Sequence, residues 1–133
     1  MAKSQTRYGF GTIVPLPQAE AIRKVTDALK AEGFGILTTI DVQATLKEKI
    51  DVEREPYVIL GACKPGLANQ ALDAEPEIGL LLPCNVIVYQ QDGSTHVSFM
   101  DPVAALGLTE NDDIAPLAQD VKDRLQRVLS LLQ

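Results

Sequence analysis

Residues 78–100 read IGLLLPCNVIVYQQDGSTHVSFM, and the fold class turns on how they are read. Asp92-Gly93 is a two-residue hairpin signal, because a tight primed turn needs residues that tolerate positive φ. Beyond it Thr95, Val97 and Phe99 alternate with His96, Ser98 and Met100, the period of a strand with one face in a core. Ahead of it lies the most apolar part of the chain, interrupted by Pro83. Proline cannot donate to a ladder, so the pattern predicts two strands there, or one strand with a bulge or kink at residue 83. The back half is therefore antiparallel.

Upstream, Tyr8–Val14 is β-rich and stops at Pro15 and Pro17, where a helix begins. Ile22, Val25 and Leu29 recur at helical spacing, and Gly33 closes that helix. GFGILTTI (33–40) is the second strand, and Asp41 caps a short helix with Val42, Leu46 and Ile50 along one side. PYVILGAC (56–63) is a third strand, apolar almost throughout, and GLANQALDAE (66–75) a helix ended by Pro76. Downstream, Asp101-Pro102 opens a short helix. Asn111–Asp113 cap a long one with an apolar stripe of Ile114, Leu117, Val121, Leu125, Val128 and Leu132. The front half thus has the crossovers of a parallel or split βαβ arrangement. The expected architecture is α+β: a two-layer sandwich with a mixed, mostly antiparallel β-sheet and helices packed on one face, formed as one domain over residues 1–133. GFG at 9–11 and at 33–35 does not open a helix directly, as a dinucleotide fingerprint requires, and is read as a strand start where backbones approach closely.

The net charge is −6 and Lys and Arg form no run, so nothing favours a phosphate backbone or an anionic membrane surface. The longest apolar run is too short to span a bilayer. The first eleven residues, MAKSQTRYGFG, lack the apolar stretch of a secretory signal. A cytoplasmic location is expected, where the two cysteines stay reduced.

Those cysteines carry the candidate chemistry. In LGACKP (60–65) Cys63 ends a strand and Pro65 starts a helix, so the thiol meets the positive end of the helix dipole, with Lys64 beside it. Both favour a thiolate, whereas the competing reading makes Cys63 a small apolar packing residue. Cys84, in LLPCNV (81–86), lies at the predicted break in strand pairing. Two sulfurs at one end of a sheet could bind a soft metal, cycle through a disulfide, or act as nucleophile and resolving thiol. A metal site would need His96 or Asp101 to converge on Cys63 and Cys84, and the spacing of the two cysteines is not that of a metal motif. Asn85 either bonds the backbone at the Pro83 break or presents its amide to a ligand near the thiols. Glu75 and Glu77 flank a helix-ending turn and are read as solvated, and Asp101 as a helix cap. No Ser-His-Asp arrangement, metalloprotease helix or phosphate-binding loop is present.

The stretch from GFGILTTIDV to NVIVYQ, with its ILGAC before Lys64-Pro65, its AEPEIGLLLPCNV and the later MDP, resembles the bacterial and archaeal DUF302 family. The resemblance implies a small α+β domain that pairs as a homodimer. It supplies no activity, the family being named for its unknown function. Asparagine is typical after the first cysteine of such sequences, and here the residue is Lys64.

Three functions follow as expectations. The first is a homodimeric binding protein holding a small ligand or metal near Cys63, Lys64, Cys84 and Asn85, with no cofactor specified. The second is a thiol-dependent redox or transfer enzyme with Cys63 as nucleophile. The third is an interaction module whose cysteines only pack. Dimerisation would use an apolar strip on the last helix or an edge strand.

Overall fold

The computed structural model describes residues 3–133, with Lys3 and Ser4 described by their backbone only. Six strands, β1 (Lys3–Gln5), β2 (Gly9–Val14), β3 (Gly35–Asp41), β4 (Tyr57–Cys63), β5 (Cys84–Gln91) and β6 (Ser94–Met100), form one sheet in the order β1-β2-β6-β5-β4-β3. Five helices accompany it: α1 (Gln18–Ala31), α2 (Val42–Ile50), α3 (Pro65–Ala74), α4 (Pro102–Leu106) and α5 (Ala115–Leu132). The α+β sandwich forms as expected, and within it every strand pairing is antiparallel. The sheet is thus not mixed, for a definite reason. β2 and β3 do run in the same direction across the α1 crossover, but β6, β5 and β4 are inserted between them, so the split arrangement forms and no parallel strands are neighbours.

The Asp92-Gly93 turn joins β5 to β6, with both residues at positive φ (52° and 79°). Parity along the strands then sorts every side chain. Val86 and Val88 on β5 lie opposite Phe99 and Val97 on β6, all four inward and at most 1% exposed. Leu60 and Ala62 on β4 face Val86 and Cys84. The apolar stripes of α1 (Ala21, Val25, Leu29) and α5 (Val121, Leu125, Val128, Leu132) close over this inner face. The α5 stripe is therefore spent on the core, which removes it as the expected dimer strip.

Between Pro76 and Leu81 the chain forms a 3-10 helix, where a further strand was expected, and Pro83 precedes β5 instead of kinking it. The hydrogen-bonding demand that excludes proline from a ladder is met by starting the strand one residue later. Asp101 caps α4 as expected, accepting from the backbone N–H groups of Val103 and Ala104, and its other oxygen takes Lys122 Nζ at 2.9 Å. Asn111, by contrast, does not cap α5. It accepts from Asp113 N within the preceding turn and donates to the Ala74 carbonyl and the Glu75 carboxylate, tying that turn to the end of α3. Glu32, just past α1, receives Nε and Nη2 of Arg127 at 3.1 and 3.0 Å, which holds its carboxyl below the usual range and locks α1 to α5.

The outer edge at β3 is different. Its ladder with β4 shifts register between Ile36 and Thr38, a bulge in the edge strand. α2, capped by the Asp41 side chain on Ala44 N, has no buried residue, and Ile50 is exposed against the expected apolar side. Gly11 supports the expected close approach of backbones, because a β-carbon there would collide with the Ser98 side chain and the Val97 carbonyl of β6, whereas at 33–35 Gly33 ends α1 and a β-carbon on Gly35 would meet nothing within 4 Å.

Leu125→Ala, at a position with no exposure, is expected to lower unfolding free energy by about 2–5 kcal/mol in urea titrations, against less than about 0.5 kcal/mol for Leu131→Ala on the solvent side of the same helix.

Candidate functional site

β4 ends at Cys63, and Lys64 is the residue through which the chain turns into α3, with Pro65 in the first turn. Ala62 pairs with Cys84, so Cys63 lies one residue beyond the partner of the second cysteine, about 6 Å away between Cα atoms by ladder geometry. Both thiols are free, and Cys63 is close enough to act on the ionisation of Cys84. They line one cavity of about 290 Å³ that wraps the end of β4. Its walls are apolar: Leu67 and Ala71 from α3, Leu117 and Val121 from α5, Phe34 after α1 and Leu82 before β5.

The local physics of the thiols runs against the sequence-based expectation. Cys84 is 6% exposed and part of the core cluster. Burial, with a smaller contribution from Cys63, pushes its pKa up to about 11. Burial also raises the Cys63 thiol. Desolvation of the charged form is the main cause at both sites, and a thiol raised above its ordinary value is neutral at pH 7.

The other candidates lie elsewhere. Asn85 follows Cys84 and so points to the opposite side of the sheet, where it is exposed and lines a second cavity of about 440 Å³ with Tyr8, Ile87 and Tyr89. Its amide is thus separated from the thiols by the sheet itself. His96 is on that outer face too, stacked on Tyr89 at 4.7 Å between ring centres, with Tyr57 stacked beyond at 5.2 Å. Its Nδ1 is shielded and has no hydrogen-bond partner among the described residues. His96 consequently does not converge on Cys63 and Cys84. Asp101 is engaged by its cap and by Lys122. No group of three or more His, Cys, Asp or Glu side chains among the described residues is placed to hold a metal ion. Glu77 is exposed, while Glu75 accepts from Asn111 at 2.8 Å.

Phe34, Leu67, Ala71, Leu117 and Val121 are the residues that sequence reasoning missed. Each reads as an ordinary core position, and no local signal marks a gap between them.

An open antiparallel sheet with helices on one face, and an apolar cavity at the end of its β4 strand, defines a small α+β domain with no assembled catalytic or metal constellation among its described residues. The chain belongs to the DUF302 family, described as a domain of unknown function, whose sequence profile matches residues 10–132. A crystal structure of an uncharacterized conserved DUF302 protein from Bacillus stearothermophilus matches with a TM-score of 0.89 and 30% identity, covering 96% of this chain and 100% of that one. Among curated proteins, nothing matches. Among the described residues no helix is long and apolar enough to cross a membrane.

A thiol whose folded pKa is raised stabilises the fold fully below its unfolded pKa near 9, and that stability is lost as pH rises through the folded value of about 11. Unfolding free energy is expected to fall between pH 9 and 11 by up to about 3 kcal/mol, and Cys84→Ala to remove that part of the pH dependence in parallel denaturant titrations.

Proposed function

We propose that the chain is a single-domain homodimeric binding protein that holds a small apolar ligand in the cavity floored by Cys63 and Cys84. The observation that carries this reading is the cavity itself. It is a half-open apolar cleft of about 290 Å³, the concave and mostly apolar kind of surface that takes small molecules. Small side chains make the room: Ala62, Ala68 and Ala71 lie where larger residues would fill it. Neutral thiols suit such a site as soft, weakly polar contacts. They suit the nucleophile reading less well, since attack on a substrate needs the thiolate.

Dimerisation is supported by the outer face of the sheet. Ile59 and Ile87 lie opposite one another there, the Tyr57–Tyr89–His96 stack runs beside them, and Ile40 is 47% exposed. An apolar, aromatic-rich sheet face of this kind matches the face-to-face packing of two antiparallel sheets, and a two-fold axis lets the same patch serve both copies. A cytoplasmic setting completes the reading, keeping both thiols reduced.

Calorimetric titration with 1-octanol is expected to show saturable binding to the wild type and none to Ala68→Trp, which fills the cavity from α3. Octanol binding that survives the tryptophan would place the ligand elsewhere. Sedimentation equilibrium at micromolar concentration is expected to give twice the 14.4 kDa chain mass, and Ile87→Glu to give the chain mass alone. A wild-type monomer would overturn the dimer.

A further inference from the structure

Lys64 is the single charged side chain among the described residues that line the cavity. It is half-buried, and its stem and ammonium lie against Gly33. Gly33 has a φ of 88°, a left-handed value required where α1 ends, and the β-carbon it lacks would meet Lys64 Nζ. The same glycine thus ends a helix and leaves the space in which the ammonium rests. Among the described residues no ion pair includes Lys64. The nearby acidic group, Glu32, is already engaged by Arg127 and Arg124. The result is an ammonium held at Gly33, near Glu32 but not paired with it, on a residue that also lines an oily volume.

The geometry points to an amphipathic anion as the ligand: a medium-chain aliphatic carboxylate, its chain over Cys63 and Cys84 and its carboxylate on Lys64 Nζ. This assignment rests on the reading of the cavity as a binding site and names the chemistry that site selects. The apolar space of about 290 Å³ is of the size that takes a medium-length aliphatic chain. A polyhydroxylated ligand is disfavoured, because apolar walls return none of the hydrogen bonds it would lose to water. A cationic amphiphile would bring its charge against Lys64. Two neutral thiols leave Lys64 as the one charged residue in the described lining, so head and tail each have one place to go.

Octanoate, 1-octanol and octylamine, titrated calorimetrically at pH 7.5 and low salt, separate the possibilities. Octanoate is expected to bind the wild type about tenfold more tightly than octanol, a charge-assisted contact's worth, and octylamine more weakly than octanol. Lys64→Gln is expected to bring octanoate down to the octanol affinity, with an unchanged urea unfolding midpoint verifying that the variant is folded. Equal wild-type affinities for octanoate and octanol, or full octanoate affinity in Lys64→Gln, would overturn the carboxylate assignment and leave the apolar-ligand reading standing. Failure of both octanol and octanoate to bind the wild type would overturn both. The octylamine comparison needs no variant, and tighter binding of octylamine than of octanoate would by itself reverse the assigned charge.

Discussion

One-sided burial of the antiparallel sheet governs the rest of the molecule. Because successive side chains on a strand point to opposite faces, covering one face with α1 and α5 sorts the residues of the central strands into an inner and an outer set. Val86, Val88, Val97 and Phe99 are inside for that reason, and Ile87, Tyr89 and His96 are outside. The same rule separates the neighbours Cys84 and Asn85, one in the core and one exposed on the far side. Two residues adjacent in sequence thereby belong to two different cavities.

That rule also explains which features are legible in the amino-acid sequence. Hairpin, strand alternation and the α5 stripe are local patterns, and each element forms about where its pattern places it. Asp41 and Asp101 cap the helices they are expected to cap. Pairing between distant strands leaves no local trace, so residue patterns around α1 fit parallel and split forms equally. The insertion of β6, β5 and β4 is a property of the whole chain. Residues 76–81 mislead because a run of apolar residues reads alike as strand or as a short helix under a core, and Ile78 serves as the buried side of a 3-10 turn. The site is legible in part. Cys63, Lys64 and Cys84 do line one cavity, at the end of β4 where it runs beside β5. The cavity around them leaves no mark in the sequence, since its walls have the composition of any core.

The thiols show how a magnitude decides between two valid arguments. A helix N-terminus and an adjacent lysine both lower a thiol pKa, and each is present at Cys63. Their field acts partly through solvent at a half-exposed site, while removal of water acts on the sulfur directly. Desolvation is the larger effect at both cysteines.

The bulge between Ile36 and Thr38 bears on life at high concentration. A six-stranded sheet that ended in a flat, regular strand would present a row of unpaired N–H and C=O groups, a template on which another chain could zip. At β3 the extra residue throws that row out of phase, so an incoming strand finds donors and acceptors in register for only part of its length. At the other end, β1 is three residues long, too short to seed much. Both rims of the sheet are thus guarded against edge-to-edge growth, the mode of association that never closes on itself.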